Sequence, residues 1–255
     1  MNVGLLFPGE MGAAVGAAVQ GSRVLWASEG RSGATARRAA GFEDAQTLAE
    51  FVARSEVILS ICPPAIAVET AGEVAALGFE GLYVDANAVS PRRVEEIARR
   101  LDRVVDGSII GRSGIRLYLS GASADIEQVA ALFAGSDVEA APLSGGIGAA
   151  SALKMAFAGW NKIGSALTAQ AHAIARAYGV EDALEAEGVS AERLPRVAAR
   201  AWRWAPEMHE IGDTCAALAL PDGIPRGAAA LFERWSVHRD DEGVDPARLL
   251  DELSA

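Results

Sequence analysis

A chain of 255 residues with 51% hydrophobic and 22% charged side chains can bury a full core and is not of disordered composition. Its formal net charge of -11, with no basic run to offset it, opposes nucleic acid and anionic membrane as partners. The cysteines, Cys62 and Cys215, lie far apart without metal-ligand spacing, which points to reduced thiols in a cytoplasmic protein.

The first apolar run, Val3–Phe7, has no charged leader and is too short for a signal peptide; later apolar stretches are broken well short of membrane length. Further aliphatic runs at Arg23–Ala27, Val57–Ile61, Leu82–Asp85 and Val104–Ile109 read as strands. Between them, Met11–Val19, Leu48–Ala53, Ala65–Leu77 and Pro91–Leu101 have helical spacing, and Ser90-Pro91 is a cap followed by a first-turn proline. Arg116–Ser120, Ala124–Phe133 and Val138–Ala140 add a strand, a helix and a strand. This alternation predicts an α/β, doubly wound, mostly parallel sheet over residues 1–142. After the Leu143–Gly148 joint, Ala149 to about Tyr178 is one long helix that is apolar on nearly every face. The rest is helical, punctuated by Pro195, Pro206, Pro221, Pro225 and Pro246, so residues 143–255 form an all-α domain. That domain reads as having little core of its own, which predicts a homodimer formed through it.

The turn after the first strand reads Phe7-Pro8-Gly9-Glu10-Met11-Gly12. A dinucleotide-binding turn reads G-x-G-x-x-G; Gly9 and Gly12 supply its second and third glycines, while Phe7 stands at the first. Gly9 would let backbone approach a pyrophosphate, and Gly12 would let helix and strand pack closely. Pro8, with its fixed φ, can pre-set the turn in place of the missing first glycine. On these residues alone, a cofactor turn and a plain packing turn both remain open. Strand two ends Ala27-Ser28-Glu29-Gly30-Arg31-Ser32. An acid would hold the ribose 2′-hydroxyl of NAD, whereas Ser28, Arg31 and Ser32 suit the 2′-phosphate of NADP, with Arg37 or Arg38 in reserve. NADP(H) is favoured over NAD(H).

Four stretches, in order, resemble the β-hydroxyacid dehydrogenase family, which includes 6-phosphogluconate and 3-hydroxyisobutyrate dehydrogenases. Gly9-Glu10-Met11-Gly12 resembles the second half of its glycine turn, and Ile61-Cys62-Pro63-Pro64 its strand-end loop over the cofactor. Asp85-Ala86-Asn87-Ala88-Val89-Ser90-Pro91 resembles its D-x-S-T-x-S-P segment, and Lys154 matches its catalytic lysine. The chain looks closest to a divergent branch with a phosphogluconate dehydrogenase-like C-terminal domain; imine reductases are more distant relatives. The resemblance implies a Rossmann-type domain, a long joining helix and an all-α domain, with NAD(P)-dependent dehydrogenase or reductase activity at a carbonyl or hydroxyl carbon of a small substrate, an acidic one among the candidates. Departures imply an atypical substrate. Asn87 replaces a substrate-contacting serine, Ile110 and Arg112 replace residues of a Ser-Gly-Gly turn that continues through Gly111, and Ala158 replaces an asparagine.

Lys154 would donate or accept the proton as hydride moves, since a desolvated lysine beside a nicotinamide passes protons near neutrality. Asn161, seven residues on, falls within roughly 20° of the same helix face and could take over the role lost at Ala158. Lys162 is rotated by about 80°, and His172 lies roughly 27 Å along the axis, too far to share the proton. In Trp202–Ile211, Trp204 would shape a pocket, and Glu207, His209 and Glu210 could meet substrate; a tryptophan-rich core with a solvated Glu-His edge is the alternative. No metal-ligand spacing and no Gly-x-Ser-x-Gly occurs. Two other functions stay open: C=N reduction with Glu207 or His209 as proton donor, and a dinucleotide-binding protein without catalysis.

Overall fold

A computed structural model describes residues 1–111 and 114–254. The chain divides into two compact units, Met1–Lys154 and Met155–Ala255.

The first unit alternates strand and helix: β1 (Asn2–Leu6), α1 (Glu10–Ala17), β2 (Arg23–Trp26), α2 (Gly33–Arg38), β3 (Glu43–Asp44), α3 (Leu48–Arg54), β4 (Val57–Ser60), α4 (Ala67–Ala76), β5 (Leu82–Asp85), α5 (Pro91–Ala98) and β6 (Val104–Ile110). It continues through β7 (Ile115–Gly121), α6 (Ser123–Ala131), β8 (Val138–Pro142) and the start of α7 (Ala149–Ala177). Among the described residues the strands form one eight-stranded sheet in the order β3-β2-β1-β4-β5-β6-β7-β8. All neighbouring pairs are parallel except β6 and β7, which pair antiparallel from Ile110 opposite Arg116 to Val105 opposite Gly121.

Each central strand is buried on both faces, which is why it reads as an unbroken aliphatic run. Val3, Leu5, Val57, Leu59, Val84 and Val105 pack on one face with Val15 of α1 and Val129 of α6. Leu6, Ile58 and Tyr83 pack on the other with Phe51, Val74, Val94 and Ile97 of α3, α4 and α5. The predicted sheet and its helices are present. Two elements escape sequence reading because they carry no apolar pattern: α2 has no buried residue, and β3 is a two-residue edge strand paired with β2. Ser32 starts α2, its Oγ accepting the Thr35 N–H at 3.2 Å.

The second unit holds most of α7, then α8 (Glu181–Ala186), α9 (Leu194–Ala217), α10 (Gly223–Trp235) and α11 (Pro246–Ser254). It has a core of its own, contrary to the sequence expectation: Met155, Met208, Ile211, Phe232, Trp235, Leu249 and Leu250 are buried together. The Trp235 indole N–H donates to the Leu249 carbonyl at 3.0 Å, so the largest buried ring is also satisfied. Pro206 does not break the helix; α9 runs through it, because Ala201, Ala205, Met208 and Ile211 are buried on one stripe spanning the proline. Among the described residues no helix is long and apolar enough to cross a membrane, and no cluster of His, Cys, Asp or Glu could hold a metal.

Candidate functional site

In an open α/β sheet the ligand crevice lies outside the carboxyl ends of the strands where strand order reverses, here between β1 and β4. The β1–α1 turn sits at that point. Phe7 itself adopts the left-handed conformation normally left to glycine, with φ 59°. Such a backbone costs roughly 1–3 kcal/mol in a bulky residue. Two contacts over-determine it. The Gly9 N–H donates back to the Phe7 carbonyl at 2.6 Å across Pro8, whose ring fixes the intervening φ. The Arg31 guanidinium stacks on the Phe7 ring, 3.8 Å from its centroid. Arg38 Nε donates to the Pro8 carbonyl at 3.1 Å.

The two glycines of this turn answer to different demands. A Cβ on Gly12 would stand 2.8 Å from the Phe7 carbonyl oxygen, so helix–strand packing requires that glycine. A Cβ on Gly9 would meet only the same oxygen at 3.9 Å, so nothing in the fold requires it. Gly9 is the N-cap of α1 and supplies no side-chain cap to the first turn. A pyrophosphate approaching the turn would need both features. Glu10 is exposed and Met11 half-buried against the core.

At the end of β2, Ser28 N–H donates to Asp44 Oδ1 at 3.1 Å. Glu29, the residue that could hold a ribose, instead accepts the Leu48 N–H at the start of α3 at 3.4 Å. Arg31 is half-buried, and burial lowers its pKa; the Glu73 charge acts the other way. It stays cationic at neutral pH.

At the ends of β4 and β5, Asn87 forms a buried brace. Its Oδ1 accepts the Cys62 N–H at 2.6 Å, and its Nδ2 donates to Ser60 Oγ at 3.1 Å and to Asp85 Oδ1. Both amide hydrogens are thus used inside the protein, which leaves Asn87 no donor for a substrate. The Cys62-Pro63-Pro64 segment is held from its other side by Arg93, whose Nη1 donates to the Pro64 carbonyl at 3.0 Å. Burial pushes the Cys62 thiol up to about 12, with the Asp85 charge adding to it, so this cysteine is inert at neutral pH. Burial raises Asp85 to about 7; its bond from Asn87 opposes this, and the neighbouring Asp106 charge adds to it. Asp85 Oδ2 is buried without a hydrogen-bond partner, as are Tyr83 Oη and Ser108 Oγ.

Asp106 on β6, missed in the sequence, anchors the start of α7. Its Oδ2 accepts the Gly148 and Ser151 N–H groups at 2.9 and 3.0 Å and Ser120 Oγ at 3.1 Å, and its Oδ1 accepts Ser151 Oγ at 2.7 Å. A carboxylate there also complements the helix dipole. The signal was an acid within the aliphatic run Val104–Ile110. This anchor places Lys154 one turn later, half-buried, with Nζ donating to the Ile109 carbonyl at 2.7 Å. Ile109 and Ile110 end β6, so the amine lies at the same carboxyl edge of the sheet as Gly9, Cys62 and Asn87. Gly111 follows with φ 102°, and a Cβ there would meet the Gly114 carbonyl oxygen at 2.6 Å. Arg112 lies outside the described residues.

The remaining named residues belong to the helical unit. Asn161 is exposed and donates to the Phe157 carbonyl of its own helix at 3.1 Å. Glu207 is ion-paired with Lys162, both side chains largely shielded, and Lys162 Nζ lies 5.6 Å from the Trp204 ring centroid. Trp204 packs edge-on against Phe232, 5.5 Å between centroids. His209 is exposed and hydrogen-bonded to Glu233 at 2.7 Å, while Glu210 is buried. His172 is buried, its Nε2 within 3.0 Å of the Val189 carbonyl, which fits a structural role.

Residues 175–235 match the family model described as a domain of unknown function, DUF1932. No curated protein matches the sequence. Among solved structures, the conserved protein MTH1747 of unknown function, whose structure is described as similar to 3-hydroxyacid dehydrogenases, is 25% identical with a TM-score of 0.69, over 93% of this chain and 98% of that one. The 3-hydroxyisobutyrate dehydrogenase of Mycobacterium tuberculosis, solved with L-serine, is 16% identical with a TM-score of 0.71, over 100% of this chain and 99% of that one. An imine reductase from Myxococcus stipitatus in complex with NADP+ is 21% identical with a TM-score of 0.55, over 98% of this chain and 100% of that one. The last two are likenesses of fold. By its sheet order, its helical C-terminal region and these likenesses, the chain has the fold of 3-hydroxyacid dehydrogenase-like proteins.

Proposed function

We propose that the chain is an NADP(H)-dependent oxidoreductase that moves hydride between nicotinamide and a carbonyl or hydroxyl carbon of a small molecule. The observation that carries the reading is Gly9: a glycine that the fold does not need, at the strand-order reversal and at the N-cap of α1. The solved relatives named above include a dehydrogenase and a reductase in complex with NADP+, which supports the same reading.

Bound NADP(H) would supply or take up the hydride. Gly9 and the first turn of α1 would receive its pyrophosphate, with Phe7, Pro8, Glu10 and Met11 shaping the turn. Arg31, Ser28 and Ser32 would receive the 2′-phosphate, with Arg38 adding charge. Two features favour NADP over NAD: the acid Glu29 is bonded at α3, and Arg31 is fixed on the Phe7 ring beside the turn. Asn87 would hold Cys62, Pro63 and Pro64 in place along the cofactor. Strand spacing puts β6 roughly 14 Å from β1, so Lys154 would stand near the far end of a cofactor laid across the strand ends. Its ammonium would protonate the substrate oxygen as hydride arrives, and its amine would take that proton in reverse. Ile110 and Gly111, beside it, would replace a polar turn with an apolar wall and favour a substrate lacking a carboxylate at that position.

Fluorescence titration with NADPH and NADH, followed by turnover of a panel of small aldehydes, ketones and oxoacids, tests this. NADPH binding tighter than NADH, with turnover that Lys154→Ala abolishes, is expected. Turnover unchanged in Lys154→Ala would remove the lysine from the chemistry. Reduction of cyclic imines surviving that substitution would favour C=N reduction, and tight NADPH binding without turnover would favour a non-catalytic role.

A further inference from the structure

Arg31 is held in an unusual way for a half-buried cation. Among the described residues its side chain forms no hydrogen bond and no ion pair; its contact is with the Phe7 ring, over which the guanidinium carbon lies 3.8 Å from the centroid. An arginine stacked by its flat face keeps all five N–H donors free round its edge. Arg38 is the contrast. Its Nε donates to the Pro8 carbonyl at 3.1 Å and its Nη2 to Thr35 Oγ1 at 3.3 Å, so its guanidinium braces the turn. Partial burial of a cation is unfavourable without a compensating acceptor, so Arg31 is poised for an anion in a way that Arg38 is not.

Phe7 is equally odd from its own side. Its φ of 59° lies where glycine is at ease, and glycine is the residue a dinucleotide-binding turn carries at this position. The demands of the turn on this residue act through its main chain: the Gly9 N–H donates to the Phe7 carbonyl, and a Cβ on Gly12 would press on that same oxygen. The ring adds two things, packing on the core cluster that contains Leu6 and a face for Arg31. A leucine would supply the first; only an aromatic ring supplies the second.

We propose that Phe7 is a positioning residue for cofactor selectivity: its ring holds the Arg31 guanidinium flat at the turn, donors unspent, for the 2′-phosphate that separates NADP(H) from NAD(H). The proposal rests on the NADP(H) reading above and adds that selectivity is set from the β1–α1 turn as well as from the end of β2.

NADPH and NADH differ only in that phosphate, so the ratio of their dissociation constants cancels general damage to the turn. Phe7→Leu keeps apolar bulk on the same backbone and should lower the NADPH preference about fivefold, through weaker NADPH binding with NADH nearly unchanged. Phe7→Gly should do the same on a relaxed backbone, and Phe7→Tyr, which keeps the ring face, should retain the wild-type ratio. In an Arg31→Ala background, Phe7→Leu should move the ratio no further, because the two residues act as one unit. A wild type that does not prefer NADPH would remove the NADP(H) reading and this proposal with it. With NADPH preferred, a ratio unchanged in Phe7→Leu and Phe7→Gly, or one that falls further when Phe7→Leu is added to Arg31→Ala, would overturn the proposal and leave that reading standing.

Discussion

In the sheet-bearing unit, Gly9 is a glycine whose Cβ would meet only an ordinary contact, Glu29 is turned away to α3, and Arg31 lies on Phe7 beside the turn. In the helical unit, Glu207 holds Lys162, His209 holds Glu233, and Trp204 packs on Phe232. The first set is shaped in ways the fold does not need, and a strained Phe7 is retained among them. The second set consists of residues whose partners are already in the same unit. Chemistry-bearing residue types therefore carry different weight in the two regions: a feature unexplained by packing points outward to a ligand, whereas a paired one is accounted for.

That contrast can be broken most sharply at Lys154. Lys154→Ala should lower turnover by on the order of 10²-fold or more, measured on whichever carbonyl the panel identifies. Arg31→Ala should weaken NADPH by about tenfold and leave NADH nearly unchanged, since a lost phosphate contact is worth about 1.4 kcal/mol; equal losses for both cofactors would assign Arg31 to the turn alone. A smaller effect follows from Asp85. Its folded pKa of about 7 lies above the ordinary 3.8, so the native state holds an extra proton between those values. Stability should therefore fall as pH rises through that window and level off above it. Asp106, raised by burial, acts in the same direction, and Cys62 and Tyr83 beside Asp85 stay neutral there. Asp85→Asn should flatten the fall in Tm between about pH 5 and pH 7. The smallest change is expected at His209→Ala: an exposed pair with Glu233 contributes at most about 1 kcal/mol, so thermal unfolding should hardly move.

Much of the fold was legible in the sequence because parallel strands buried on both faces read as aliphatic runs; Val3–Phe7 and Val57–Ile61 needed no more than that. α2 and β3 were not, since GATARR and ED bury nothing that would set a period. Pro206 suggested a break where tertiary packing overrides it. At the site, the glycine pattern marked the turn, but only coordinates separate Gly12, needed for packing, from Gly9. The left-handed Phe7, the Asn87 brace and the Asp106 anchor of α7 depend on contacts between residues far apart in the chain, up to 45 positions for Asp106 and Ser151. No local pattern encodes those.

The central claim is that Gly9 is reserved for a dinucleotide. NADPH titration of the wild type and of Gly9→Ala, each paired with thermal unfolding, tests it most directly. The variant should lose at least about tenfold in NADPH affinity with Tm held within roughly 2 °C, because its Cβ meets the fold only in an ordinary contact, 3.9 Å from the Phe7 carbonyl oxygen. Wild-type protein that does not bind NADPH, or a Gly9→Ala variant that binds it as tightly as the wild type, would contradict the account.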